Sequence, residues 1–220
     1  MVELHWEMTG HYALFPILLE DLEGHLESVR LCGREVFHLF PEELLLQLCF
    51  HGSKDCWEEL ERICCVAELV RSRPAVDWER VAMLATKLRC ERILLLGLSL
   101  AHDLLAAPLP DDVLKKVKAD SKVRKLAAQV SGRLFEKGGE LSGNGISSSF
   151  SFYHMKVRDS FTDGIRYGFK LATRPTINEW IYFPLPGSLS FLHYILRPIR
   201  LALMLGLGLM KRLVFGGGGP

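Results

Sequence analysis

No stretch of the chain is apolar enough to cross a membrane: the longest strongly apolar run, "LALMLGLGLM" (201–210), covers ten residues, and a bilayer-spanning helix needs about twenty. The six cysteines, Cys32, Cys49, Cys56, Cys64, Cys65 and Cys90, form no CxxC pair and show no zinc-site spacing, which argues against a structural zinc ion. Most of them lie in apolar helical patterns, so reduced, buried thiols of a cytosolic protein are expected. The start, "MVELHWEMTGHY", has no basic segment leading into an apolar one, and a secretory leader is not expected. GxxxxGK[ST], GxGxxG ahead of a helix, and GxSxG are missing as well. That sets aside a phosphate-cradling P-loop, a dinucleotide fingerprint and a hydrolase nucleophile elbow. There is no internal repeat.

What is present describes an ordinary folded protein of 220 residues, 49% hydrophobic and 24% charged. A net charge of +1 conceals a split: residues 1–73 carry 14 acidic and 6 basic side chains, residues 74–220 carry 12 and 21. The second part either faces an anionic partner or simply presents solvated helix faces. "KKVKADSKVRK" (115–125) is its densest basic run. It lacks the interleaved aromatics of a single-strand binder, so the nucleic-acid signal is not strong.

Strand patterns are confined to the beginning. In "VELHWEM" (2–8), Val2, Leu4 and Trp6 alternate with Glu3, His5 and Glu7 as in a half-buried strand. "SVRLCGREVFHLF" (28–40) reads as a hairpin around Gly33-Arg34. From Pro41, suited to a first helical position and followed by Glu42 and Glu43, the period is helical, with further helices at about 53–72, 77–89, 91–107 and 111–135. These make a helical bundle over 41–135, followed by a flexible Gly/Ser loop at 136–149, C-terminal helical segments over 150–215 and a disordered tail at 216–220.

One segment carries polar residues that a buried helix does not need. With His51 as origin and about 100° per residue, Lys54, Asp55, Glu58, Arg62 and Cys65 share a stripe, while Trp57, Leu60, Ile63, Cys64, Ala67 and Val70 face elsewhere. His51 and Asp55, four apart, can share a metal or a proton, and Lys54 can hold a phosphate as a point charge. Equally, the stripe can be a solvated face with ion pairs such as Glu58–Arg62.

"PEELLLQLCFHGSKDCWEELERICCVAELV" (41–70) resembles the signature of the bacterial family of uncharacterised nucleotidyltransferases. "ELHWEM" (3–8), "VDWERVAMLATKLRCERILLLGLSLAHDLLAAPLPDDV" (76–113) and "RPTINEWIYFPLPGSLSFLHYILRPIRL" (174–201) are similar to further parts of it. The resemblance implies a polymerase-β-type core in which a Gly-Ser turn holds nucleotide phosphates and an Asp-x-Asp pair with a third carboxylate binds Mg²⁺. No Gly-Ser or Gly-Gly here is followed by Asp-x-Asp within about fifteen residues. Only Glu3 matches a metal position of the family, where aspartate is usual. Cys65 stands where the family pattern has aspartate, and a neutral thiol does not supply that charge.

The resemblance therefore implies an α+β, mainly α fold, with residues 1–40 as part of a nucleotidyltransferase sheet, truncated at its N-terminus, packed on the helical bundle. His51 and Lys54 are the candidate nucleotide-binding residues, Glu3 the candidate metal ligand and Mg²⁺ the implied cofactor; no residue is assigned to catalysis. The expected function is nucleotidyl transfer from an NTP to an unidentified acceptor, with this chain inactive or incomplete. The alternative is a non-catalytic helical interaction module that binds a protein partner or an anionic membrane surface through 193–213. The expected location is cytoplasmic, or peripheral to a membrane through that segment.

Overall fold

The computed structural model describes residues 26–135, 152–173 and 186–200. Two compact units divide the chain at Ile165/Arg166. The expected strand at 2–8, with Glu3, and the loop at 136–149 lie outside the described residues, as does all of 193–213 beyond Arg200. The described residues are mainly helical, with one two-stranded antiparallel sheet near the beginning, an α+β arrangement dominated by helix.

In the first unit, β1 (Leu26–Leu31) and β2 (Arg34–Leu39) pair from Leu26 opposite Leu39 to Leu31 opposite Arg34. The turn is Cys32-Gly33, one position earlier than expected. Both residues have positive φ, 50° and 77°, the backbone of a two-residue turn whose twist matches the strands. The hairpin stands largely exposed, Leu31 at 63% and Phe37 at 67%.

Pro41 opens α1 (Pro41–Lys54) at its first turn. Glu42 accepts from the Asp77 backbone N–H at 2.9 Å and Glu43 accepts from Arg80 at 2.5 Å, which ties the start of α1 to α3 (Trp78–Lys87). α2 (Leu60–Ser72) and α4 (Glu91–Leu105) complete the core. α4 is apolar on every side: Ile93, Leu96, Leu98, Leu100 and Ala101 are at 1% exposure or less. Such a helix belongs at the centre of a bundle, and α4 packs against α1, α2, α3, α5 (Asp111–Ala119) and α6 (Ser121–Phe135).

Two helices expected as continuous are broken. The 53–72 pattern divides at 55–59 between α1 and α2. The 111–135 pattern divides at Asp120, whose extended backbone (φ −80°, ψ 106°) ends α5 while its carboxylate accepts from the N–H groups of Lys122 and Val123 at 2.8 and 3.1 Å. The expected C-terminal helical segments from 150 onward begin with α7 (Phe152–Lys156) and α8 (Phe161–Thr173). Between them Asp159 accepts from the first two N–H groups of α4, Glu91 and Arg92, at 2.9 and 2.7 Å. Cys90, at the cap position, makes no side-chain cap hydrogen bond; a carboxylate distant in sequence satisfies those donors instead.

In the second unit, beyond the part of α8 that it contains, a 3-10 turn (Gly187–Leu192) leads into helical residues 193–200. No helix among the described residues is long and apolar enough to cross a membrane.

Candidate functional site

The C-terminal end of α1 answers why a glycine, a lysine and a tryptophan interrupt a helical stretch. After Lys54 the chain reverses: Trp57 N–H donates to the Gly52 carbonyl at 2.8 Å and Cys56 N–H to that of Ser53 at 3.1 Å. Cys56 and Trp57 hold left-handed backbones, φ 54° and 56°, a conformation costing roughly 1–2 kcal/mol per non-glycine residue. This turn puts the Trp57 side chain, 0% exposed, between two helices. A Cβ on Gly52 would sit 2.3 Å from the indole, and one on Gly97 of α4 would sit 2.6 Å from Cys49 Sγ and 3.1 Å from the indole. The two glycines thus leave room for one aromatic ring, and its burial offsets the strained turn. Trp57 Nε1 finds no acceptor among the described residues, so the ring is held by shape.

Around this lock the polar residues separate into two groups. On the half-exposed side, His51 Nε2 and Arg62 Nη2 lie 3.8 and 3.7 Å from the same Asp55 oxygen, and Arg62 Nε lies 3.5 Å from Glu59. Of the stripe, His51, Asp55 and Arg62 come together, although the helix that defined it is broken, and Arg62 pairs with Asp55 and Glu59 rather than with Glu58. Lys54 is exposed beside it, without an ion-pair partner among the described residues. Cys65 is exposed on α2, and so are Leu60 and Cys64, which the helical spacing sets facing away from the stripe. Three of the cysteines, not most, are buried: Cys49, Cys56 and Cys90.

On the buried side, Ser53 Oγ lies 3.1 Å from Tyr153 Oη, Cys56 Sγ lies 3.7 Å from His154 Nε2, and Arg133 donates to the Cys56 carbonyl at 3.2 Å. These contacts join the end of α1 to α6 and α7. They escaped sequence reasoning because about a hundred residues separate the partners and neither side carries a local motif. A Cys–His pair suggests a nucleophile, but both residues are buried, and burial pushes the Cys56 thiol up to about 11, against the opposing pull of Arg133. A thiol of that kind stays protonated and inert at neutral pH.

The described residues do not fit Mg²⁺. It prefers several oxygen donors, whereas the cluster beside His51 offers two carboxylates, Asp55 and Glu59, both already facing the Arg62 guanidinium. No group of three His, Cys, Asp or Glu side chains among the described residues is arranged for a metal. Glu42 and Glu43 are committed to α3.

Residues 1–106 match the model of the family of uncharacterised nucleotidyltransferases. The span ends one residue beyond α4, so Gly52, Trp57 and Gly97 all fall inside this family segment. α5 to α8 lie beyond it, as do residues 174–201. Comparison with curated proteins and with solved structures finds no match.

Proposed function

We propose that this chain serves nucleotidyl transfer from a nucleoside triphosphate to an acceptor, with α1 to α4 as the helical platform on which His51 and Lys54 meet the triphosphate. The family match over 1–106 supports the reaction class. The observation that carries the assignment is the end of α1. A buried Trp57, fitted between Gly52 and Gly97, fixes a turn whose exposed side presents Lys54 as a cation with no carboxylate partner among the described residues. A point charge of this kind suits a phosphate group. By itself the chain is incomplete for catalysis on this reading, since its 220 residues contain no Gly-Ser followed by Asp-x-Asp.

Calorimetric titration with ATP, in EDTA and again with Mg²⁺, tests the proposal. The expected result is binding that Lys54→Ala weakens about tenfold, or roughly 1.4 kcal/mol, with no pyrophosphate released. Absence of binding, or equal binding by the variant, overturns the placement of the nucleotide. A second reading, an interaction module for an anionic membrane surface, draws on the helical residues 193–200, where Tyr194, Ile195 and Ile199 are each more than half exposed. Cosedimentation with anionic vesicles at low salt is its test, and no sedimentation at low salt rejects it.

A further inference from the structure

The basic run at 115–125 lacks aromatics within itself, but the fold supplies one from elsewhere. α6, α7 and the start of α8 enclose a cleft of about 400 Å³, within the size range of small-ligand sites. Lys122 and Lys125 of α6 and Lys156 of α7 line it, all three exposed, none with an ion-pair partner among the described residues. Phe161, 79% exposed, and Met155, 39% exposed, supply apolar wall, and the buried Arg158 belongs to the same lining.

The acids next in sequence to the cleft direct their carboxylates to groups other than these lysines. Asp159 is engaged by the N–H groups of Glu91 and Arg92, Asp163 by Arg89 and Ser160, and Asp120 by Arg92 and the first turn of α6. Lysines gathered without counter-charge repel one another and favour an anion between them. Lys118 and Arg124, exposed in the same basic run, extend the positive charge beyond what one small anion would use. An exposed ring beside several cations is the combination that single-stranded nucleic acid uses: phosphates meet the cations and a base stacks on the aromatic face.

We propose that the cleft between α6, α7 and the start of α8 binds single-stranded nucleic acid, with the lysines on the phosphates and one base against Phe161. No residue of α1 lines the cleft, and the proposal does not depend on the reading of Lys54.

Fluorescence anisotropy of a labelled twelve-nucleotide single-stranded RNA, titrated with the full chain over a salt series, is the test. The charge reversals Lys122→Glu and Lys125→Glu together should weaken binding at least tenfold and flatten the plot of log affinity against log salt by about 1.4, since two phosphates are then left without a lysine and each accounts for about 0.7 of the slope. Phe161→Ala should weaken binding several-fold and leave that slope unchanged, while Phe161→Trp should retain binding. All these positions are exposed, and a far-UV spectrum identical to wild type confirms folding. Lys54→Ala should bind the strand as the wild type does, which separates this proposal from the nucleotide reading. The inference is overturned if the strand does not bind at low salt. It is also overturned if Phe161→Ala binds unchanged, which reduces the patch to a polycation, or if anionic vesicles bind while the strand does not.

Discussion

Gly52 shows what a single side chain decides here. Alanine is ordinarily the better helix former by about 1 kcal/mol, and at Gly132, exposed on α6 with nothing within 4 Å of an added Cβ, Gly→Ala should stabilise the protein by about 0.5–1 kcal/mol. At Gly52 the same change drives a methyl to 2.3 Å from the Trp57 ring. It should cost about 2–3 kcal/mol, as overpacking does. Urea denaturation of the two variants should therefore give opposite signs. Equal shifts would show that the indole is not confined as described. The cysteines divide in the same residue-by-residue way. Burial pushes Cys49 up to about 12 and Cys56 up to about 11, so at pH 7 the thiolate fraction of Cys56 is on the order of one in ten thousand. An aromatic disulfide reagent should modify Cys32, Cys64 and Cys65 rapidly, and Cys49, Cys56 and Cys90 only as the protein unfolds.

At the scale of the element, the helices were legible wherever apolar spacing sets them, and their breaks were not. The pattern of 111–135 runs through Asp120 without a glycine or proline, and only the carboxylate's use as a cap ends one helix and starts the next. Burial works against ionisation of Asp120, but the Val123 and Lys122 N–H groups and the Arg92 guanidinium hold its carboxyl below the usual carboxylate range. A depressed folded value means that its contribution is complete above the unfolded pKa, about 3.9, and is lost as pH falls through the folded one. Asp120→Ala should thus cost about 1 kcal/mol at pH 7, and the gap to wild type should shrink below about pH 4. A gap constant down to pH 2 would deny the carboxylate this role. The candidate site was legible in the same measure. His51 and Asp55, four apart in sequence, do meet, and Lys54 stands exposed between them in the chain. Tyr153 and His154, and the Phe161 that shares a cleft with the lysines of α6, reach their neighbours only through the fold, by contacts that no local spacing encodes.

Across the first unit, α4 is the element on which the others converge, and its sequence shows why: "RILLLGLSLA" offers apolar side chains in every direction, so no face of it is stable against water. α1, α2, α3, α5 and α6 each bury one stripe on it, and Gly97 lets α1 approach with Trp57 in between. If this helix is their shared core, loosening it must weaken all of them at once rather than fray the nearest. Leu96, 0% exposed, is the site at which to ask. Leu96→Ala should cost about 2–5 kcal/mol, the cost of a buried leucine cavity, whereas Met83→Ala, at a side chain 62% exposed on α3, should stay within about 0.5 kcal/mol. In a urea series the variant's loss of helical ellipticity and its exposure of Cys49, Cys56 and Cys90 to thiol reagent should shift by the same amount and remain coincident, as one cooperative unit requires. If the thiols open at lower urea than the helical signal, α1 and α4 separate before the bundle melts, and the Trp57 lock is then a local clasp rather than part of the common core.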